Sequence, residues 1–187
     1  MPVLPITVYG DKILRKKVSK VTKVDLKTIE LIKNMFDTMR NANGIGLAAN
    51  QVGADKSIFV IDVSQAEGYE GEKPLTLINP KIIKYSEKKV LIEEGCLSIP
   101  EIREEVERPE SITIVYQDID LNEHTLEADK LIARVMQHEY DHLHGVLFTD
   151  LIPDEAKKKV KKDINKIRKR KIEINYPITE SIDYQLA

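Results

Sequence analysis

A chain of 187 residues is long enough to bury a core without disulfides or structural metals, and the length fits one domain. With 42% hydrophobic and 32% charged residues the composition is that of a soluble globular protein, and no run approaches the ~18 consecutive apolar residues of a membrane span. A single cysteine, Cys96, excludes a disulfide framework and suits a reducing compartment. The formal charge of −2 conceals an uneven distribution: Glu155 to Lys171 holds ten Lys/Arg against two acids, which leaves the remaining chain acidic.

The N-terminal stretch up to Leu14 lacks a basic region followed by a long apolar run, and Pro5 interrupts it. It reads as neither a secretory signal nor an Arg/Ser-rich transit peptide, so a bacterial cytoplasm is the expected setting. Residues 25–41 read as a helix, with Asp25 as N-cap and Leu26, Ile29, Ile32, Phe36 and Met39 at helical spacing. It stops at NANGIG, where Asn and Gly favour a left-handed turn. Short β-rich runs follow at 57–63, 75–80, 81–86 and 111–118, punctuated by Asn79-Pro80 and a Gly-containing loop at 67–74. Residues 103–109 are expected to form a further strand with its charges facing water, and 124–129 a last strand feeding a helix from about Lys130 to His144. A basic helix is expected at about 154–171, with a tail at 172–187. With no repeat, no linker and no βαβ rhythm, the fold class is α+β within one domain, 1–187. Mostly antiparallel sheets surround a central helix, flanked by an N-terminal and a C-terminal helix.

That central helix carries His138-Glu139-Tyr140-Asp141-His142, an H-E-x-x-H pattern. Residues four apart share a helix face, so His138 and His142 can grip one metal ion while Glu139 reaches a water beside it. A hydrolytic metal needs a third protein ligand and an open position. His144 lies on another helix face, and His124 sits in a polar turn. Cys96 remains, in EEGCLSIP, where it is either a small buried hydrophobe or a thiolate ligand.

Three segments in order, GIGLAANQ (44–51), EGCLS (94–98) and HEYDH (138–142), resemble the signature motifs of peptide deformylase, and every fixed position of those motifs is present. The resemblance runs to about Ile152. It implies Cys96, His138 and His142 as metal ligands and Glu139 as general base and then general acid. It also implies an oxyanion held by the Gln51 side-chain amide and the Leu97 backbone N–H. The implied reaction is hydrolysis of the formyl group from the N-formylmethionine of nascent polypeptides. The implied cofactor is one divalent metal ion, Fe(2+) in the cell, with Zn(2+), Ni(2+) or Co(2+) as occupants in a preparation. Beside this, Leu131 and Val135 lie on the face of His138 and, with Ile45 and Ile92, are expected to form an apolar slot for methionine. The Gly46 carbonyl is expected to pair with a substrate peptide N–H. Arg134 stands on the same face where an apolar residue would fit; it either lines the pocket mouth or bends to solvent. Asp141 has no evident partner.

Two other classes share part of this pattern: a metalloprotease built on H-E-x-x-H, and a non-catalytic ribosome-binding protein with a structural metal. The basic helix places Val160, Ile164 and Ile167 on one stripe. It reads either as a solvated surface helix or as a dock for ribosomal RNA. The tail 172–187 departs from the family pattern and has no assigned role. No membrane partner is expected, and the oligomeric state is open.

Overall fold

The computed structural model describes residues 3–186, so the ends of the expected domain and tail, residues 1, 2 and 187, lie outside the described residues. The first helix, α1, spans Leu26–Asn41, and the Asp25 side chain caps it by accepting from the Thr28 N–H at 2.9 Å. Its buried face differs from the expected stripe. Leu26 is 88% exposed and Ile29 lies at the surface, whereas Leu31, Ile32, Met35 and Met39 are buried with Thr28 and Thr38. Positions 28, 31, 32, 35, 38 and 39 follow the i, i+3, i+4, i+7 rule more closely than the apolar residues alone did. The left-handed residue after α1 is Asn43, at φ 53.

Five strands form an antiparallel sheet: β1 (Gly46–Ala48), β2 (Ile58–Ile61), β3 (Leu75–Tyr85), and then, past an inserted hairpin, β6 (Ser111–Gln117) and β7 (Glu123–Asp129), in the order β1-β2-β3-β6-β7. The runs at 75–80 and 81–86 are one strand, not two. Asn79, at φ 49, and Pro80 occupy a bulge between Ile78 and Lys81. Pro80 has no N–H for the ladder, and the Asn79 side chain bonds Val21 N–H, Val21 O and Gln117 Oε1 at 2.9, 2.7 and 2.8 Å instead. The hairpin itself, β4 (Lys89–Cys96) with β5 (Ile99–Pro109), is a separate two-stranded sheet. Strand β5 begins before the expected 103–109, and β4 falls where no strand is expected from the sequence.

Helix α2 (Lys130–Leu143) carries the H-E-x-x-H residues, and a short helix α3 (Phe148–Leu151) and the basic helix α4 (Asp154–Arg168) follow. Strand β2 is buried on both faces. Phe59 and Ile61 pack with Ala133, Val135 and Met136 of α2, while Ile58 and Val60 pack with Leu31, Met35 and Met39 of α1. The hairpin packs elsewhere: Ile99, Ile102 and Val106 of β5 join Phe148, Val160 and Ile167. Helix α2 thus lies where the five-stranded sheet meets the hairpin. Ligands offered by the hairpin and by the helix can therefore converge.

Candidate active site

Strand β4 ends at Cys96, which pairs with Ile99 across a two-residue turn made by Leu97 and Ser98. The turn delivers Cys96 to α2. Its Sγ lies 3.2 Å from His142 Nε2, which in turn lies 3.2 Å from His138 Nε2. All three ligand atoms fall within 4.8 Å of one another. Atoms held at ordinary metal–nitrogen and metal–sulfur lengths of ~2.0–2.3 Å from one ion must stand at about such separations. His144 and His124 are elsewhere: His144 Nδ1 bonds the Tyr140 carbonyl, and His124 pairs with exposed Asp118. A thiolate and two imidazoles with no fourth protein ligand among the described residues match an open, hydrolytic shell.

The imidazoles are prepared for that role by their surroundings. His138 Nδ1 lies 2.9 Å from Glu94 Oε2, which fixes the tautomer and turns the Nε2 lone pair toward Cys96 and His142. Burial pushes His142 well below the ordinary histidine value, keeping it neutral and able to donate a lone pair. Glu94 is itself buried. Burial alone would raise its pKa, but the hydrogen bonds from His138 and Arg108 hold it far below the ordinary carboxylate range. Arg108 contacts both Glu94 oxygens, at 2.6 and 3.1 Å, and reaches Asp141 at 2.6 Å. Arg134 joins from α2, with Nη1 2.7 Å from Glu94 Oε1 and further bonds to the Val106 and Val90 carbonyls. Arg134 therefore does not bend to solvent; it is buried, and it forms part of the cleft lining. Asp141 has its partner in Arg108.

Arg108 corrects the expectation that the charges of 103–109 face water. It is 5% exposed, and it stands in phase with buried Ile102 and Val106 on β5. Strand alternation puts it on the buried face, because positions 102, 106 and 108 share that face, but does not say that Glu94 and Asp141 meet it there.

Glu139 lies beside the three ligands, and its Oε2 is buried with no hydrogen-bond partner in the protein. A buried, unpaired carboxylate oxygen is costly unless something outside the chain meets it, and a bound water or substrate amine fits there. Burial pushes Glu139 up to about 7. Strand β1 passes so close that a Cβ on Gly46 would lie 2.5 Å from Glu139 Oε1 and 2.7 Å from Val135 Cγ1. The space that glycine spares at 46 is taken by the Glu139 carboxylate and the Val135 side chain. Gln51 follows on a 3-10 turn. Its Oε1 accepts from the Ala48 N–H at 2.8 Å, which aims Nε2 at Ser98 Oγ and Cys96 Sγ, 3.2 and 3.5 Å away.

A cleft of about 940 Å³ opens over these groups. Ile45, Gly46, Ile92, Leu131 and Val135 line it, together with Gln51, Leu97, Cys96, His138 and Glu139. Every residue singled out from the sequence for catalysis or binding thus borders one space or the ligand cluster beneath it. Val135 is buried; Ile92 is 40% exposed and stands at the mouth.

Known proteins resemble the chain along most of its length. A family model described as polypeptide deformylase matches residues 3–158. A peptide deformylase of Chlorobium phaeobacteroides is 44% identical over 176 residues, covering 94% of this chain and 95% of that protein. One from Salinibacter ruber is 42% identical, covering 97% and 96%. Among solved structures, a plant peptide deformylase superposes with a TM-score of 0.85 at 39% identity, over 91% of this chain and 92% of that one. A peptide deformylase from Thermotoga maritima gives 0.76 at 41% identity, over 82% and 99%.

Proposed function

The chain belongs to the peptide deformylase family, metal-dependent hydrolases that remove the N-formyl group from nascent peptides, and from that premise we propose how its own residues do so. Cys96, His138 and His142 hold one divalent metal ion, Fe(2+) in the cell, with Zn(2+), Ni(2+) or Co(2+) able to take its place. When bound, the ion supplies the Lewis acidity that activates water near neutral pH. The observation that carries the reading is the convergence of these three ligand atoms beside the unpartnered Oε2 of Glu139.

Glu139 takes the proton of the attacking water at Oε2 and returns it to the departing amine nitrogen. A group whose pKa stands near 7 suits both transfers at neutral pH. Negative charge building on the formyl oxygen is met by two donors, Gln51 Nε2 and the Leu97 N–H. Donors of this kind are typically worth ~3–4 kcal/mol to a transition state. The Ala48 N–H holds Gln51 Oε1, which keeps Nε2 turned toward Cys96 and the cleft. Ile45, Ile92, Leu131 and Val135 take the methionine side chain, and the Gly46 carbonyl accepts from a substrate peptide N–H.

No helix among the described residues is long and apolar enough to cross a membrane. We place the enzyme in the cytoplasm, where formylated chains are made. Helix α4 buries Val160 and Ile167 and turns its lysines outward, which supports docking on ribosomal RNA.

The deciding experiment measures formate release from a formyl-Met tripeptide by protein loaded with Fe(II) or Ni(II) without oxygen, beside Glu139→Ala. The expected outcome is release that falls by ~10²–10⁴ in the variant while its metal content is retained. Equal activity in the variant would sink the assignment of Glu139.

A further inference from the structure

The segment after α4 lies outside the span matched by the family model, which ends at residue 158. Its path is nevertheless well defined. Arg170 reverses the chain at φ 54, its guanidinium meets buried Asp11, and its Nε donates to the Thr179 carbonyl at 2.7 Å. Past this turn the tail pairs in parallel with the N-terminal segment. The Ile6 N–H donates to Pro177 O at 2.9 Å, and the Thr179 N–H donates to Ile6 O at 3.0 Å. Near its end the Leu186 N–H reaches Gly53 O at 2.9 Å. These anchors carry the tail along one side of the cleft, where Glu173, Ile174, Asn175 and Tyr176 all form part of the lining.

Tyr176 also makes a specific bond. Its hydroxyl donates to the Leu97 carbonyl at 2.8 Å. Leu97 and Ser98 are the two residues of the β4–β5 turn, and the Ser98 carbonyl accepts from the Tyr9 N–H at 2.8 Å. Both turn carbonyls are therefore held from outside the hairpin, one by the tail and one by the N-terminal segment that the tail lies against. On the opposite side the Leu97 side chain packs near the segment after α1, where a Cβ on Gly44 would lie 2.7 Å from Leu97 Cδ1. Leu97 thus ties the turn to that segment, and its carbonyl is the point at which the tail grips it.

We propose that Tyr176 is a positioning residue for deformylation, fixing the β4–β5 turn through the Leu97 carbonyl so that the Leu97 N–H faces the formyl oxygen, and that Glu173–Tyr176 form a wall of the substrate cleft. The proposal rests on the deformylase reading and on the Leu97 N–H as a donor in that reaction. The physical reason is preorganisation. A backbone donor stabilises developing charge only if it is aimed before the charge appears, and a misplacement of ~1 Å can cost ~10²-fold in rate. A two-residue turn at a hairpin tip has little of its own to hold it that tightly.

Tyr176→Phe removes the donor and keeps the ring. Its kinetics on formyl-Met-Ala-Ser are compared with wild type, both loaded with Ni(II), with metal content and Tm measured on the same samples. The Leu97 amide resonance is followed in the zinc-loaded proteins. The expected result is a kcat lower by about tenfold with KM changed by less than about twofold, a shifted Leu97 amide, and unchanged metal and Tm. Tyr176→Ala, which also removes the wall, should raise KM in addition. Wild-type kcat in Tyr176→Phe overturns the proposal, and so does a loss that tracks lost metal or lost folded protein. A fully metallated wild type that releases no formate would overturn the deformylase reading itself, and this inference with it.

Discussion

Glu94 sits two residues before Cys96, and an imidazole and two guanidinium groups of the site depend on it. Its carboxylate is shared by His138, Arg108 and Arg134, all buried. Removing it as Glu94→Ala leaves two guanidinium groups in a desolvated space with one fewer counter-charge. Breaking a buried pair in this way typically costs ~3–5 kcal/mol, and loss of the partner that orients a ligating histidine typically weakens metal binding ~10–100-fold. Urea unfolding of the metal-free protein and a chelator competition of the loaded protein would read the two effects separately. A variant with wild-type metal affinity would show that His138 is oriented without Glu94. The sequence reveals this residue only in part. His138 and His142 are legible because four residues on a helix is a fixed geometry, and Arg134 at i−4 is drawn onto the same face by the same rule. Arg108, 33 residues before Asp141 in the chain, reaches the site through strand pairing, which no local pattern encodes.

At the scale of elements, α1 and β2 are tied at their ends by one ion pair. Asp62, at the end of β2, accepts from Arg40 Nε and Nη2 at 3.1 and 2.7 Å and from Ser64 Oγ at 2.6 Å. Burial raises the pKa of Asp62, but its hydrogen bonds from Ser64 and Arg40 outweigh that and leave it below the ordinary 3.8. A depressed carboxylate contributes stability that is present above its unfolded value and lost as pH falls through the folded one. Asp62→Asn should therefore lie below wild type in stability near neutrality and converge with it in acid, below the ordinary aspartate range. A thermal-melt series against pH would check this, and parallel curves would refute it. Element boundaries were read well where capping residues mark them, as at Asp25. Of the hairpin, β5 is legible in part, as the strand expected at 103–109. Its partner β4 is not, because Glu93 and Glu94 look like loop residues until their partners across the ladder are known.

For the whole molecule, the proposed ligands come from two bodies: Cys96 from the hairpin, His138 and His142 from the helix packed on the five-stranded sheet. A bound ion would link these bodies, so metal should stabilise the protein well beyond its immediate surroundings. Stripping it with a chelator should lower Tm, by an amount set by metal concentration over Kd; a hundredfold excess over Kd corresponds to about 2.7 kcal/mol. Calorimetry of stripped and reloaded protein measures it, and identical melts at saturating metal would mean that the ion binds the unfolded chain as tightly as the folded one and does not hold the two bodies together. The sheet order β1-β2-β3-β6-β7, with the hairpin set aside, was beyond reach of the sequence for the same reason as Arg108. Antiparallel strands announce themselves one by one, but their neighbours are chosen by contacts between distant residues.

The pairing of Ile6 with Ile178 gives the molecule an order of assembly. Synthesis runs from the N-terminus, so Cys96, His138 and His142 all emerge before Tyr176 and the clasp it depends on. A growing copy of this enzyme can gather its metal-binding residues long before its cleft has its final wall. The segment around Ile6 waits unpaired until Ile178 arrives.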